Sequence, residues 1–496
     1  MFEVAELGHT ISKADYNLQV PELRTQLLTL QQEITTGDFS VVVLISGVDG
    51  GGKGEVIKSL NEWLDPRFMR TNAYDSPSDE ERERPEFWRF WRTMPAKGTI
   101  GIYIGSWYSE PIAKRVFDKT TDAQLQRKLT QINQLEQELS NDGTLVIKCW
   151  LHLGKKQQKK RLKELSENKE TAWQVTKRDK LHLEMYDTFV DVAENVLQTT
   201  SSGQAPWLII EGSDSRYSSL KVGQHIYNRI KLHQESRQKE KALQADSQSK
   251  MIDYVNQESV LDALDLSLSL DKKAYNDQLN FYQGKLNKLV RTAHEKKLSS
   301  VLMFEGWDAG GKGGAIRRLT HAMDARNYQV IPVAAPTDEE LNQHYLWRFW
   351  RHIPRAGRVT IYDRSWYGRV LVERVEGFAS EEEWKRAYSE INHFEEALSE
   401  HGILLLKFWL HIDKDEQLER FQAREKIPYK QHKITEDDYR NREKWDEYSL
   451  AVNDMVAQTS TKAAKWTLVE ANDKRFARIK ILKTYCEQLE KALEKH

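Results

Sequence analysis

The fold of this chain is decided by MFEGWDAGGKGGAI, residues 303–316. A short apolar run precedes its glycines, and a run with helical apolar spacing follows them. This context and the spacing G-x-x-x-x-G-K are typical of a P-loop, whose glycines let backbone N–H groups turn around a phosphate while the lysine adds a positive charge. We therefore predict a phosphate-binding loop that contains Gly306, Asp308, Gly310, Gly311, Lys312 and Gly313.

One residue of this loop departs from the usual pattern. The serine or threonine that normally follows the lysine, and whose hydroxyl helps to hold Mg²⁺, is replaced by Gly313. Carboxylates are a natural substitute, because proteins bind Mg²⁺ through one or two carboxylates together with water and phosphate oxygens. Asp308 lies inside the loop, and Asp363 ends a second apolar run, VTIYD. We expect both carboxylates to bind Mg²⁺, with Mn²⁺ as the alternative ion.

The chain contains a second copy of the same pattern. The first copy reads LISGVDGGGKGEVI, residues 44–57, and the two loop lysines differ by 312 − 53 = 259 positions. The same shift places FWRFWRTMP, residues 87–95, on LWRFWRHIP, residues 346–354. A constant shift without insertions indicates a duplicated domain. We predict a first domain over 1–234, a polar linker over 235–270 and a second domain over 271–496.

Short apolar runs alternate with longer amphipathic runs in each copy. Val41–Ile45 is continuously apolar, and similar runs recur at 99–104, 144–150 and 207–210. Buried strands that alternate with helices indicate a parallel sheet covered on both faces. The predicted fold class is therefore α/β, with two tandem P-loop domains that each have a three-layer α/β/α core.

Arginines are concentrated around the second copy of the loop. Arg364 and Arg369 follow the apolar run that ends at Asp363, where parallel sheets bind ligands, and they suit phosphate oxygens. Four more arginines lie upstream, and a solvated face neutralised by glutamates explains them equally well; they are Arg348, Arg351, Arg355 and Arg358. We predict that the neighbouring tryptophans are core residues without a catalytic role; they are Trp347, Trp350 and Trp366.

Composition and charge limit the cellular compartment and the classes of partner that we expect for this protein. Net charge is −1, so any polyanion site must come from local clustering. The two cysteines, Cys149 and Cys486, cannot form a disulfide framework and favour a reducing cytoplasm. The sequence contains neither a secretory-signal pattern nor an apolar run of about 20 residues. A cytoplasmic protein without membrane or nucleic-acid partners is expected.

The motifs EGWDAGGKGG, RFWRHIP, YDRSWYGR and LLLKFWLHI, in this order and spacing, resemble the second polyphosphate kinase family. The two-domain arrangement resembles the fused members that act on polyphosphate and AMP. The resemblance implies a helical lid on each core, Mg²⁺ bound by Asp308 and Asp363, and a phosphate contact from Lys312. It also implies that Arg364 and Arg369 contact substrate phosphates, and that Arg424, in FQAREKIPYKQHKIT, is the lid arginine.

The shift of 259 shows that the two copies are not equivalent. Asp49 and Lys53 correspond to Asp308 and Lys312, so the first copy keeps its loop. The four other positions have changed, and the first-copy residues there are Ile104, Gly105, Glu110 and Leu165. A metal carboxylate is lost, two arginines are neutralised and one is reversed in charge. We predict that the second copy is catalytic and that the first is a structural partner or a channel for polyphosphate.

The predicted reaction is transfer of the terminal phosphoryl group of polyphosphate to AMP, which gives ADP. ADP or GDP as acceptor, or the reverse reaction that lengthens polyphosphate, is the alternative. Two other functions are also considered: an ATP-dependent nucleoside monophosphate kinase and a non-catalytic nucleotide- or polyphosphate-binding protein. The two copies are expected to form an internal pseudo-dimer, and further homo-oligomerisation is left open.

Overall fold

The computed structural model describes residues 1–170, 172–174, 177–244, 259–428 and 436–496. The chain divides into two compact units, each with its own sheet. Unit 1 comprises Met1–Pro77, Arg89–Met251 and Asp338–His344. Unit 2 comprises Ser78–Trp88, Ile252–Thr337 and Tyr345–His496. Each unit therefore includes one short segment that belongs, by sequence, to the other copy.

Unit 1 is built on a five-stranded parallel sheet. Its strands are β1 (Val41–Gly47), β2 (Met69–Ala73), β3 (Ile100–Ile104), β4 (Leu145–His152) and β5 (Trp207–Glu211). Their order is β2-β3-β1-β4-β5, and every neighbouring pair is parallel. The helices of the first copy are α1 (Lys13–Thr35), α2 (Lys53–Trp63), α3 (Asp79–Arg82), α4 (Trp88–Trp91), α5 (Ser109–Val116), α6 (Asp122–Asn141), α7 (Lys155–Glu167), α8 (Lys177–Glu184), α9 (Tyr186–Thr200) and α10 (Ser215–Gln244).

Unit 2 repeats this architecture. Its strands are β6 (Ser300–Gly306), β7 (Tyr328–Pro332), β8 (Val359–Asp363), β9 (Leu404–His411) and β10 (Trp466–Glu470), in the order β10-β9-β6-β8-β7. All neighbouring pairs are parallel. The helices of the second copy are α11 (Lys272–Glu295), α12 (Lys312–Thr320), α13 (Asp338–Leu341), α14 (Trp347–Trp350), α15 (Val372–Val375), α16 (Glu381–Glu400), α17 (Lys414–Glu425), α18 (Glu436–Glu443), α19 (Trp445–Thr459) and α20 (Lys474–Lys495).

The central strands are buried on both faces. Val41–Leu44 in β1 and Val301–Phe304 in β6 are all 0% exposed. Successive strand residues point to opposite faces, so continuous burial means that both faces of the sheet are covered. The predicted α/β fold with a covered parallel sheet is confirmed in both units.

A buried ion pair joins the central elements in each unit. In unit 2, Lys407 of β9 lies 2.8 Å from the carboxylate of Glu395 in α16 and donates to the hydroxyl of Tyr367 and the carbonyl of Thr459. Lys407 is 0% exposed. Unit 1 contains the same arrangement, formed by Lys148, Glu136, Tyr108 and Thr200. Because both copies keep it, this network belongs to the fold.

The segments taken from the other copy are held by specific contacts. In unit 2, Glu83, directly after α3, forms an ion pair of 2.6 Å with Arg355, and Arg84 Nε donates to the carbonyl of Ile353. In unit 1, the backbone N–H of Lys97 donates to the carbonyl of Asn342, directly after α13. Each sheet unit is therefore completed by about one turn of helix from a distant part of the sequence.

Two expectations about the second copy are resolved by the fold. Trp347, Trp350 and Trp366 are buried, at 7%, 3% and 1% exposure, which confirms that they are core residues. Arg355 and Arg358 precede β8, whereas Asp363 ends it, so they lie at the opposite edge of the sheet from the loop. A strand of this length separates them from Asp363 by roughly 15 Å, and Arg355 pairs with Glu83, which favours the alternative of a surface face neutralised by glutamates.

The predicted linker lies partly outside the described residues. Helix α10 runs through its first part to Gln244, and 245–258 are not described. In the part of the chain that the structure describes, no helix is long and apolar enough to cross a bilayer.

Candidate active site

The glycine loop of unit 2, Gly306–Gly313, connects β6 to α12. Gly306 has φ 146°, and a Cβ there would lie 2.5 Å from the carbonyl oxygen of Leu410, so only glycine fits. Gly311 caps α12 in the left-handed conformation, with φ 110°. Lys312 begins the helix, and its Nζ donates to the carbonyls of Gly306 and Trp307 at 2.6 and 3.3 Å. The ammonium group is thus held over the loop, where an anion would bind.

Asp308 links this loop to two other elements. One carboxylate oxygen accepts a hydrogen bond from Arg364, which follows β8, at 3.2 Å. The other accepts from Asn441 Nδ2, in α18, at 3.0 Å. The Gln417 side chain, in α17, donates to the backbone carbonyl of Asp308 at 3.1 Å. Sequence reasoning predicted Asp308 and Arg364 but missed Asn441, which lies 133 positions from its partner.

Asp363 lies next to the position of the missing hydroxyl. It ends β8, and its residue in register on β6 is Phe304, two residues before Gly306. A Cβ built on Gly313 would lie 4.0 Å from Oδ2 of Asp363. The carboxylate therefore faces the place where the usual serine or threonine of such loops would project.

The two arginines after β8 have different environments. Arg364 has a left-handed φ of 65°, and its side chain is 54% exposed, so it is available to a ligand. Arg369 is 16% exposed, pairs with Glu373 at 3.1 Å and Glu383 at 3.8 Å, and lies over the ring of Tyr345. Burial raises the pKa of Glu373, while Arg369 and Arg348 oppose this. Arg369 is thus held by two carboxylates and an aromatic ring.

Arg424 is half-buried near the end of α17, one turn beyond Arg420. Arg420 is 4% exposed and donates to the carbonyls of Ala309, Ala471 and Asn472. It joins the glycine loop to the segment after β10. Sequence reasoning missed Arg420, although the shift of 259 places Arg161 at the same position in the first copy. The last seven residues of the predicted lid segment, 429–435, lie outside the described residues.

Glu305 is a third residue that sequence reasoning missed. It is the last residue before Gly306, and its carboxylate accepts a hydrogen bond from the Ser365 hydroxyl at 2.8 Å. Burial raises the pKa of Glu305 to about 7, against the opposing influence of Ser365, Lys312 and Arg364. The first copy has Ser46 at this position. This difference between the two copies is the sequence feature that could have identified Glu305 as a candidate site residue.

Trp307 of the glycine loop packs against aromatic side chains of other elements. Trp307 stacks on Trp445 with ring centroids 3.7 Å apart, and its indole N–H donates to Nδ1 of His411 at 3.1 Å. Burial lowers the pKa of His411 to about 4, so the imidazole is neutral at physiological pH and can accept this hydrogen bond.

The corresponding loop of unit 1 keeps its shape, but the neighbouring elements have lost the charges found in unit 2. Lys53 Nζ donates to the carbonyls of Gly47 and Val48, as Lys312 does in unit 2. Asp49 is paired with His182, at the position of Asn441, and lies 3.7 Å from Lys53. Gly105 keeps the left-handed backbone of Arg364, with φ 69°, without its guanidinium. The remaining changed positions are Ile104 at the end of β3, Glu110 paired with Lys114, and Leu165 in α7.

A parallel sheet, a lysine-bearing glycine loop at its carboxyl edge, and carboxylates and arginines from adjacent strand ends define a phosphoryl-transfer enzyme of the α/β class. A model of the Polyphosphate kinase 2 (PPK2) family matches residues 10–239 and 269–496. The chain belongs to the Polyphosphate kinase 2 family, and it contains two copies of the family's domain.

Full-length relatives share this arrangement. The chain is 50% identical over 496 residues to a polyphosphate:AMP phosphotransferase of Pseudomonas aeruginosa, and both chains are covered completely. It is 40% identical to a polyphosphate:AMP phosphotransferase of Acinetobacter johnsonii, over 97% of this chain and 98% of that one. The crystal structure of a putative polyphosphate kinase 2 from Pseudomonas aeruginosa matches with a TM-score of 0.88 and 48% identity, covering both chains completely.

Proposed function

We propose that this enzyme transfers the terminal phosphoryl group of inorganic polyphosphate to AMP, giving ADP, and that the reaction takes place in unit 2. The observation that carries the proposal is the complete set of Asp308, Lys312, Asp363 and Arg364 around one glycine loop. The full-length relatives named as polyphosphate:AMP phosphotransferases support the choice of donor and acceptor.

The site has the charges that this reaction needs. The acceptor oxygen of AMP is already ionised at neutral pH, so a strong general base is not required. Two polyanions must instead be neutralised and aligned, which Lys312 and Arg364 can do through preorganised charge-assisted hydrogen bonds. Arg369 and Arg424 extend the same positive potential on either side.

Asp308 and Asp363 would hold Mg²⁺. Their carboxylates are hard oxygen ligands, and a Cβ at Gly313 would meet no atom closer than Oδ2 of Asp363, at 4.0 Å. No group of three or more His, Cys, Asp or Glu side chains among the described residues could hold a metal by itself. Mg²⁺ keeps waters and takes substrate phosphate oxygens as ligands, so two carboxylates are enough protein ligands for it. The ion would neutralise charge on the transferring phosphates.

We also propose a cytoplasmic location and an internal pseudo-dimer of the two copies. Cys149 and Cys486 are both free and buried, which suits a reducing compartment. The first copy then acts as a structural partner, since its loop lacks the arginines and the second carboxylate.

Nucleotide analysis after mixing the purified protein, Mg²⁺, long-chain polyphosphate and AMP tests this function, with ATP as the control donor. ADP should form from AMP and polyphosphate, and far more slowly from AMP and ATP. If only ADP is converted, to ATP, the acceptor is wrong and the alternative reaction holds. If ATP serves and polyphosphate does not, the proposal fails.

A further inference from the structure

A second group of basic residues lies beside the glycine loop of unit 2, on the side away from Arg364. We call it the basic cluster; its members are Arg420, Arg424, Lys474 and Arg478. The first two are in α17, which follows β9, and the others begin α20, which follows β10. Arg364 and Arg369 follow β8. Because β6, with the loop, lies between β9 and β8, cations flank the loop on both sides.

The cluster touches the loop directly. Arg420 NH1 donates to the carbonyl of Ala309 at 2.9 Å. The Arg478 guanidinium lies against the first turn of α12, where a Cβ on Gly314 would be only 3.3 Å from its terminal nitrogen. A larger side chain at Gly314 would therefore displace Arg478. Arg420 therefore contacts the loop itself, and Arg478 contacts the helix that follows the loop.

The cluster carries more positive charge than its surroundings neutralise. Glu416 pairs with Arg420 at 2.5 Å and with Lys474 at 3.9 Å. Within the described part of the chain, neither Arg424 nor Arg478 forms an ion pair or side-chain hydrogen bond. Burial lowers the pKa of Lys474, as do Arg420, Arg478 and Arg424, against Glu416. Lys474 is the first residue of α20, where a cation opposes the helix dipole, so the fold alone does not account for it.

The first copy lacks this charge. The shift of 259 places Ser215 on Lys474, Ser219 on Arg478 and Leu165 on Arg424. Only Arg161 remains, at the position of Arg420, and it lies 3.9 Å from Glu55, which replaces Gly314. The architectural arginine is therefore kept in both copies, whereas Arg424, Lys474 and Arg478, which share one carboxylate with Arg420, occur only where the catalytic set is complete.

We propose that Lys474 and Arg478, together with Arg424, bind the non-reacting phosphates of the polyphosphate donor, while AMP binds on the side of Arg364 and Arg369. The assignment rests on the proposed function. The basic cluster offers consecutive cations and one carboxylate, which suits a linear polyanion. The opposite side offers Arg369 with the ring of Tyr345 and two carboxylates, which suits a ligand with one phosphate and a nucleoside.

Two variants with the residues of the first copy, Lys474→Ser and Arg478→Ser, test this assignment by steady-state kinetics. Each should raise the KM for long-chain polyphosphate about tenfold or more, because each removes a charge-assisted contact. The KM for AMP should stay unchanged. With tripolyphosphate as donor the effect should be smaller, since few phosphates extend beyond the reacting one. Arg478→Lys should restore part of the lost affinity, and Lys483→Ser, an equal charge change further along α20, should have no effect.

Isothermal titration of each folded variant with polyphosphate alone separates binding from turnover. Weaker polyphosphate binding by Lys474→Ser and Arg478→Ser, with normal AMP binding, supports the assignment. If wild type binds and uses polyphosphate but the variants raise the KM for AMP, or change neither constant, the assignment is overturned and the function stands. A wild-type protein that neither binds nor uses polyphosphate overturns both.

Discussion

Individual residues of the two copies differ in side-chain charge at positions where their backbone conformations are the same. Arg364 and Gly105 both have a left-handed φ, 65° and 69°, after the corresponding strand. Lys312 and Lys53 both donate to the carbonyl of the first loop glycine. The first copy has thus lost chemical groups without losing the geometry that would present them.

This difference predicts unequal effects of matched substitutions. Lys312→Ala and Asp363→Asn should lower kcat by about 10²-fold or more, because they remove charge aimed at the transferring phosphate. Lys53→Ala should leave turnover near wild type. Initial-rate assays of the three folded variants measure this. Equal loss of activity in Lys53→Ala would show that both loops take part.

His411 predicts a pH dependence of stability. Its pKa is about 4 in the folded protein and near 6.5 when exposed, so between these values the unfolded chain binds more protons. The contribution of neutral His411 is complete above pH 6.5 and is lost as the pH falls toward 4, at a cost of about 1–3 kcal/mol.

Urea unfolding at pH 7 and pH 5 measures this effect. In His411→Asn the amide oxygen can accept from Trp307 and does not titrate. The difference in unfolding free energy between the two pH values should therefore be smaller than in wild type. An unchanged difference would rule out His411 as its source.

Among the strands, helices and loops, the sequence predicts those features that residues close together along the chain determine. Continuous apolar runs correspond to β1 and β6, and the glycine spacing corresponds to the loops, because neighbouring residues alone produce these features. Asn441 and Arg420 escaped prediction because their contacts to the loop join elements more than 100 positions apart. The sequence left the role of Arg355 and Arg358 open for a related reason, because proximity to Asp363 along the chain does not reveal that a strand separates them.

The glycine loop predicts a contrast between two of its own residues. Gly306→Ala should destabilise unit 2 by about 1–3 kcal/mol or more, since φ 146° is unfavourable for alanine and its Cβ would meet the Leu410 carbonyl at 2.5 Å. Gly313→Ala should fold normally, because its Cβ meets nothing closer than Asp363 at 4.0 Å. Thermal melts of both proteins check this. Normal stability of Gly306→Ala would contradict the strain.

The buried ion pair between β9 and α16 predicts a loss of stability. Lys407→Met leaves Glu395, which is 1% exposed, without its counterion, and should cost about 3–5 kcal/mol. Lys148→Met in unit 1 removes an equally buried lysine and should cost a similar amount. Urea unfolding of both variants, with exposed Lys483→Met as the control, measures this. A cost near that of the control would mean that the pair is not needed for the fold.

At the scale of the whole molecule, two similar units should provide one complete site. We expect calorimetric titration with AMP, in the presence of Mg²⁺, to give a stoichiometry close to one per chain. The first copy lacks the counterparts of Arg364, Arg369 and Asp363, so it should bind AMP too weakly to be counted. Arg364→Gly should abolish the measured binding, whereas Lys53→Ala should not. Two equal sites per chain would contradict this division of roles.

The short segment that each unit includes from the other copy limits how a gene for this protein can be shortened. Unit 2 includes Ser78–Trp88, and Arg355 is paired with Glu83 from that segment. A gene shortened to its second half would encode every predicted catalytic residue and still lack a piece of the unit that carries them. Mutations could therefore erase the chemistry of the first half freely, while its deletion would be selected against. We therefore expect the first half to be retained as a structural part of the second, even without catalytic activity of its own.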